Sequence, residues 1–156
     1  MMKEEPSWND VKIGSFPKLN KSIETDVAII GGGITGLTCA YLLMKAGKKV
    51  VLLEKNKLCF GATGVTTAFL TQSLDTDIRQ LSKMYGLERA KLIYNSHEIA
   101  IDQVEEIIKK NKIKCDFSRC SDYSYAVDES AVDYLKEEES AAKKLGLGVK
   151  FNADKN

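Results

Sequence analysis

One segment of the sequence decides the fold: TDVAIIGGGITGLTCAYLLMKAGKKVVLLEK, residues 25–55. Its short β-branched run at residues 26–30 predicts a buried strand, and apolar residues then recur at helical spacing from Ile34 onward. Gly47 is expected to end that helix, and the apolar run at residues 49–54 predicts a second strand, of the kind found in covered parallel sheets. Strand, helix and strand in this order predict a βαβ unit and an α/β fold.

The glycine pattern Gly31-x-Gly33-x-x-Gly36 lies between the first strand and the helix, and 17 residues separate Gly36 from Glu54 at the end of the second strand. In this context the first glycine permits a tight turn, the second admits a pyrophosphate and the third lets the helix pack closely on the strand. Unpaired amides of the first helical turn and the helix dipole then bind the anion. Glu54 can accept hydrogen bonds from ribose hydroxyls, and its charge disfavours the 2′-phosphate of NADP. The pattern predicts a dinucleotide site, and by itself it leaves FAD and NAD open.

Composition and charge exclude several other classes of protein. The 156 residues are 44% hydrophobic and 29% charged, which suits a globular domain. With 23 Lys and Arg against 22 Asp and Glu, bulk charge gives no reason to expect a nucleic-acid partner. Four glycines interrupt the uncharged run at residues 27–44, so no membrane span is predicted. Four cysteines without a signal-type segment predict free thiols and a cytoplasmic location, and a single histidine gives no reason to expect a metal site.

The remaining chain predicts an extended leader at residues 1–24, anchored through Trp8 or Phe16, and a loop rich in Gly, Ala and Thr after the second strand. Domain boundaries are expected at residues 1–24 for the leader, 25–75 for the βαβ unit with its loop, and 76–156 for a partial second domain. The predicted elements of that last part are helices at 87–110 and 129–145, a hairpin of 115–119 with 123–127, and a strand at 147–151.

Other residues that carry reactive side chains favour structural roles. His97 lies on the apolar stripe of the predicted helix at 87–110, which favours a packed histidine. Cys115 and Cys120 lack the spacing of a redox or metal pair and are expected to be core or hairpin thiols. Tyr123 and Tyr125 alternate as packing residues of a strand do, although in a complete enzyme they could line a substrate cavity.

Two segments carry a family resemblance: TDVAIIGGGITGLT at residues 25–38 and GATGVTTA at residues 61–68. Both resemble the FAD-binding N-terminus of the D-amino-acid-oxidase (DAO) superfamily of FAD-dependent oxidoreductases, in the branch whose full-length members often carry a C-terminal Rieske domain. The likeness continues with lower specificity over most of the chain, including residues 85–90 and the predicted hairpin. It implies the N-terminal part of a Rossmann-like FAD-binding fold.

The resemblance also implies which residues bind FAD. The glycine turn would meet the pyrophosphate, Glu54 and the backbone of Lys55 would hold the adenosine ribose, and the loop at residues 61–67 would approach the pyrophosphate and the ribityl chain. The branch often has a histidine where this chain has Val65, so no flavin contact is expected there. The implied cofactor-binding residues are Gly31, Gly32, Gly33, Ile34, Thr35, Gly36, Glu54, Lys55, Gly61, Ala62, Thr63, Gly64, Thr66 and Thr67.

The length of the chain limits the activity that it can be expected to have alone. One βαβ unit leaves the sheet incomplete, and in the resembled family the remaining strands, the isoalloxazine pocket and the substrate-domain residues come later in a longer chain. The chain therefore resembles an N-terminal fragment, which alone would bind FAD weakly or not at all and would turn nothing over. The resemblance implies that the full-length protein oxidises a small-molecule amine or amino acid by hydride transfer to the flavin. Three alternatives stay open: a non-catalytic remnant, a split module completed by a separate chain, and an NAD-binding Rossmann domain. No catalytic residue is assigned.

Overall fold

The structure is a computed structural model, which describes residues 13–152. The chain divides into two compact units, Met1–Phe69 and Leu70–Asn156. The expected anchor Trp8 lies outside the described residues. Phe16 is 74% exposed, so the prediction that it anchors the leader is wrong.

The first unit contains the predicted βαβ motif. Strand β1 (Val27–Ile30) leads into helix α1 (Ile34–Lys45), which returns the chain to strand β2 (Val50–Leu53). The two strands are parallel, with Val27 opposite Val50 and Ile30 opposite Leu53. A 3-10 helix at Ala62–Val65 follows in the loop rich in Gly and Thr. This arrangement confirms the predicted α/β class and the partial sheet.

Polar contacts fix the point where the two strands start together. The amide of Lys49 donates to Oδ2 of Asp26 at 2.8 Å, and the hydroxyl of Thr25 donates to the carbonyl of Lys49 at 2.7 Å. Gly47 has a φ of +77°, so the chain leaves α1 through a left-handed residue that glycine adopts without strain. These contacts hold the strands in the register that places the ends of both strands side by side.

The second unit is helical. Its helices are α2 (Ile78–Tyr85), α3 (Leu87–Asn111) and α4 (Glu129–Leu145). The two longer helices, α3 and α4, begin and end close to the residues that the sequence pattern predicts. Asp77 and Asp128 cap α2 and α4 by accepting backbone amides, and Gly146 ends α4 in the left-handed conformation. The helices share one hydrophobic core, formed by Ile78, Leu81, Ala90, Tyr94, Ala141, Ala142 and Leu145.

One carboxylate ties α4 to the start of α2. Glu138 accepts the amide of Ile78 at 2.8 Å and Nε of Arg79 at 2.8 Å. The Arg79 guanidinium also lies 4.9 Å from the centre of the Tyr134 ring. Burial is the main cause that raises the pKa of Tyr94, and the nearby Glu138 carboxylate adds to it. The second unit therefore combines an apolar core with a satisfied polar contact between its helices.

Two predicted strand regions are absent from the described structure. Residues 115–119 and 123–127 form no hairpin, and Tyr123 and Tyr125 are each 82% exposed, so strand packing does not hold them. A hairpin gains little stability unless a third strand or a helix covers it, which explains why the pattern alone was misleading. Residues 147–151 form no strand either, and the amide of Phe151 donates to Oε1 of Glu139 at 2.9 Å.

The four cysteines and the single histidine lie outside the glycine turn. All four cysteines are free thiols, as predicted, but Cys115 and Cys120 are exposed and are not core residues. His97 is half-buried on α3. Over the part of the chain that the structure describes, no helix combines the length and the apolar character needed to cross a bilayer.

Candidate dinucleotide site

The turn between β1 and α1 depends on the first glycine of the motif. Gly31 has a φ of +106°, a conformation that L side chains rarely adopt, and its amide donates to the carbonyl of Leu53 at 2.8 Å. The hydrogen bonding to β2 therefore continues one residue beyond β1, and the chain turns toward α1 at Gly31. The structure confirms the tight turn predicted for Gly31.

The third glycine sets how closely α1 approaches that turn. A Cβ atom at Gly36 would overlap the carbonyl oxygen of Gly31 and would lie 3.3 Å from Cγ2 of Ile29. Because the blocking atom belongs to the backbone, no side-chain movement could relieve the overlap. Close packing of helix on strand, predicted for this glycine, is confirmed.

The middle of the motif lies at the amino end of α1. Gly33 is the residue that precedes the helix, its backbone is extended, and no side chain of its own caps the helix. A Cβ atom at Gly33 would lie 3.0 Å from Oγ1 of Thr63 and near no other atom within 4 Å. Gly32 is buried, and a Cβ atom there would meet the side chains of Leu58 and Glu54. Glycine at position 33 therefore keeps a space open in front of the helix amides.

The Glu54 side chain lies beside the glycine turn and also forms a hydrogen bond with it. Its Oε2 atom accepts the amide of Gly32 at 2.7 Å, and its Oε1 atom accepts the amide of Asn56 at 2.7 Å. Hydrogen bonds from the amides of Asn56, Gly32 and Lys55 lower the pKa of the carboxyl below its usual 4.5. The side chain is thus a carboxylate at neutral pH, held beside the glycine turn.

From the sequence, the Glu54 carboxylate was predicted only to bind ribose hydroxyls, and its hydrogen bond to the glycine turn was missed. The signal was available, because the ends of adjacent parallel strands meet at one edge of the sheet. An acid directly after β2 must then lie beside the turn that follows β1.

The loop rich in Gly and Thr reaches the same turn. Oγ1 of Thr63 accepts the amide of Ile34 at 3.0 Å, so a residue 29 positions away caps the first turn of α1. The amide of Cys59 donates to the carbonyl of Gly32 at 2.9 Å. Within the loop, the amide of Gly64 donates to the carbonyl of Gly61 at 2.9 Å and closes the 3-10 helix. Two bonds therefore attach the loop to the glycine turn.

The structure brings most of the predicted residues together and leaves two aside. Thr35 and Gly36 belong to the first turn of α1, and the Lys55 amide contributes to the surroundings of Glu54. The hydroxyl of Thr66 accepts the amide of Ala68 at 3.3 Å in a local turn, and Thr67 follows it in the exposed loop. The predicted residues around the amino end of α1 are Gly31, Gly32, Gly33, Ile34, Thr35, Gly36, Glu54, Lys55 and Thr63, with Gly61, Ala62 and Gly64 in the attached loop.

The chemistry of this cluster suits a nucleotide. The first turn of a helix offers N–H groups that have no acceptor within the helix, and the dipole places partial positive charge there. Hydroxyl and carboxylate groups lie on either side, and the missing Cβ of Gly33 leaves room for a phosphate to reach the backbone. Amides, a hydroxyl and one carboxylate are groups that can bind and orient a dinucleotide. None of them accepts or delivers a hydride.

Comparison with known proteins shows the family to which the chain belongs. The family model described as FAD dependent oxidoreductase (DAO) matches residues 26–155. The chain is 39% identical over 148 residues to YhfW of Bacillus subtilis strain 168, whose name describes a Rieske 2Fe-2S iron-sulfur protein. It is 38% identical over 106 residues to gamma-glutamylputrescine oxidoreductase of Escherichia coli K12. It is 33% identical over 129 residues to OrdL of Haemophilus influenzae, which is named as an oxidoreductase.

These alignments cover much of this chain and little of its relatives. They include 93%, 68% and 83% of this chain, in the same order, but only 29%, 25% and 30% of the three relatives. The chain therefore spans less than a third of the length of the curated relatives that it matches. No solved structure shows significant similarity to it.

Proposed function

Because the chain belongs to the DAO family of FAD-dependent oxidoreductases, we propose that it supplies the part of a flavoenzyme that binds the ADP half of FAD. One observation carries this proposal. The glycine turn puts no side chain of its own over the amino end of α1, and the Glu54 carboxylate accepts the Gly32 amide of the same turn at 2.7 Å. That arrangement supports a pyrophosphate site next to a ribose site.

Each group in the cluster has a role in binding. The amides of Thr35 and Gly36, in the first helical turn, would meet the pyrophosphate together with the positive end of the α1 dipole. The Thr63 hydroxyl accepts the Ile34 amide and still has its own proton to donate to a phosphate oxygen. A carboxylate has about four acceptor positions. Glu54 therefore keeps capacity for ribose hydroxyls after accepting the Gly32 and Asn56 amides.

The reaction of the whole protein is proposed at a coarser level. Bound FAD would supply a hydride acceptor for the oxidation of an amine or amino acid. An amine substrate is supported by the name of the Escherichia coli relative, gamma-glutamylputrescine oxidoreductase. Since the chain spans less than a third of such relatives, we assign it cofactor binding and no catalytic residue. Alone it would bind FAD weakly and turn over no substrate.

Titration with FAD and, separately, with NAD tests the proposal. A ligand that binds only the folded chain raises the melting temperature by mass action, and flavin fluorescence reports FAD directly. We expect FAD-selective stabilisation that Gly33→Val removes, because the valine side chain would occupy the space in front of the α1 amides. Gly148→Val is the matched control, since a Cβ atom there meets nothing within 4 Å. FAD affinity that is unchanged by Gly33→Val would contradict the assignment.

A further inference from the structure

Two left-handed residues lie on either side of the loop that contacts the glycine turn. Cys59 has a φ of +59° and Ala68 has a φ of +61°, although neither is a glycine. Left-handed backbone brings Cβ close to the following carbonyl oxygen, which raises the free energy of any residue other than glycine. Neither residue belongs to a helix or a strand that would impose this backbone. The loop between them, residues 60–67, is therefore flanked by two strained positions.

A polar contact holds this loop against the amino end of α1. Oγ1 of Thr63 accepts the amide of Ile34 at 3.0 Å. The apolar side chains of the loop add little to it, because Phe60 is 66% exposed and Val65 is 71% exposed. Strained backbone persists where its surroundings enforce it. Since water can replace a hydrogen bond from an exposed amide, the strain at the two ends favours opening of the loop.

We propose that residues 60–67 form a lid that rotates about Cys59 and Ala68 and closes on a bound nucleotide through Thr63. The inference rests on the proposed function, because the nucleotide is the group that favours the closed lid. In the closed position the Thr63 hydroxyl has its own proton to donate to a phosphate oxygen. A ligand that binds one of two conformations more tightly shifts the population toward that conformation.

The closed lid borders the space that Gly33 keeps open in front of the helix. A Cβ atom at Gly33 would lie 3.0 Å from Oγ1 of Thr63. Rotation about Cys59 and Ala68 would move Thr63 away and uncover the amides of the first turn of α1, which gives a nucleotide a way in. Closure would then retain the nucleotide. In such lids, a few loop residues absorb the change in backbone angles, and the two left-handed residues are placed to do so.

Glycine at a hinge tests the proposal, because glycine adopts left-handed backbone without strain. Ala68→Gly should favour the closed lid. We expect the Ile34 amide to exchange with solvent about threefold more slowly and FAD to bind about threefold more tightly. Ala68→Val should shift both quantities in the opposite direction, since a β-branched residue is a poor fit to left-handed backbone. In a loop without strained hinges, glycine would instead weaken binding, because it adds backbone freedom that ordering must remove.

Two further variants check the hinge. Cys59→Gly should act in the same direction as Ala68→Gly. Lys112→Gly is the matched control, because Lys112 follows α3 in the second unit and is also a left-handed residue, with a φ of +53°. Glycine there should relieve the same kind of strain and raise the melting temperature, with no change in Ile34 exchange or FAD affinity. Amide-resolved hydrogen exchange and flavin fluorescence measure the two readouts.

The exchange readout needs no ligand, so it separates this inference from the proposed function. Ile34 exchange that is unchanged or faster in Ala68→Gly, or slowed equally by Lys112→Gly, would overturn the lid. If FAD binds and Gly33→Val abolishes its binding while Ile34 exchange ignores Ala68→Gly, only the lid inference fails. If Ile34 exchange slows in Ala68→Gly but no FAD binds, the assignment of the glycine turn fails and the hinged loop stands.

Discussion

The two units of this chain are stabilised by different means. In the second unit, seven hydrophobic residues of α2, α3 and α4 are buried, with Leu145 only 1% exposed. In the first unit, the described residues include no buried hydrophobic side chain, and α1 buries none of its residues. The glycine turn of the first unit nevertheless has well-defined contacts, with its amides bonded to Leu53, Glu54 and Thr63. Here backbone geometry and polar contacts define the candidate site, and an apolar core is missing around it.

This difference shows where each unit should be sensitive to substitution. A core loses stability in proportion to the volume removed from it. A turn built on glycines fails when a side chain is added.

The largest effect is expected from Gly36→Val. The new Cβ atom would overlap the backbone oxygen of Gly31, so α1 must move away from β1. We expect the first unit to lose more than about 3 kcal/mol of stability, beyond ordinary overpacking, and FAD binding to disappear. Hydrogen exchange should show loss of protection in β1 and β2 and none in α4. Retained FAD binding would show that helix and strand are not in such close contact.

Leu145→Ala should destabilise the second unit and leave the stability of the first unit unchanged. Removing a fully buried leucine leaves a cavity and should cost the second unit about 2–5 kcal/mol. The exposed Leu92 on α3 provides the control, since Leu92→Ala should change stability by less than about 0.5 kcal/mol. Thermal unfolding followed by circular dichroism measures both variants. Equal effects at the two positions would mean that the second unit has no real core.

Glu54→Gln should weaken FAD binding about 10-fold, because hydrogen bonds to a charged acceptor are roughly twice as strong as neutral ones. The binding should also depend on pH. The folded-state pKa of Glu54 lies below its usual 4.5, so the carboxylate supports the turn fully above pH 4.5 and loses that effect as pH falls through the folded value. Titration of FAD binding downward from pH 6 through and below pH 4.5 should show this loss in the unmodified chain. The same pH dependence in Glu54→Gln would assign it to another group.

The smallest effect is expected from Thr63→Val, which keeps the shape of the side chain and removes the acceptor for the Ile34 amide. Loss of a helix cap costs about 1 kcal/mol, so FAD affinity should fall about fivefold. Thr63→Ser keeps the hydroxyl and should restore binding. If valine and serine behave alike, the cap contributes nothing to the site.

The sequence predicts those parts of the fold that depend on neighbouring residues. The strands at 27–30 and 50–53, the helix between them and the roles of Gly31 and Gly36 follow from local pattern and from the known geometry of the motif. Helix α4 ends at Leu145 because Gly146 adopts the left-handed conformation that the sequence indicates.

Features that depend on distant parts of the chain were not predictable in the same way. A hairpin at 115–127 needs a covering surface that periodicity does not reveal. The bond between Thr63 and the Ile34 amide joins residues 29 positions apart, and no spacing rule predicts such a contact. The carboxylate of Glu54 was predicted to lie at the site, but its bond to Gly32 depends on the orientation of the side chain in the folded turn.

The most direct test of the central claim is an amide-resolved NMR titration of the full chain with FAD. One spectrum reports both units, so α4 serves as an internal reference for the glycine turn. We predict saturable shifts at Gly32, Ile34, Thr35 and Asn56, with unchanged positions for the amides of Ala141 and Ala142. Shifts confined to the second unit, or none at millimolar FAD, would contradict the claim that the glycine turn and Glu54 form the binding site for the ADP half of FAD.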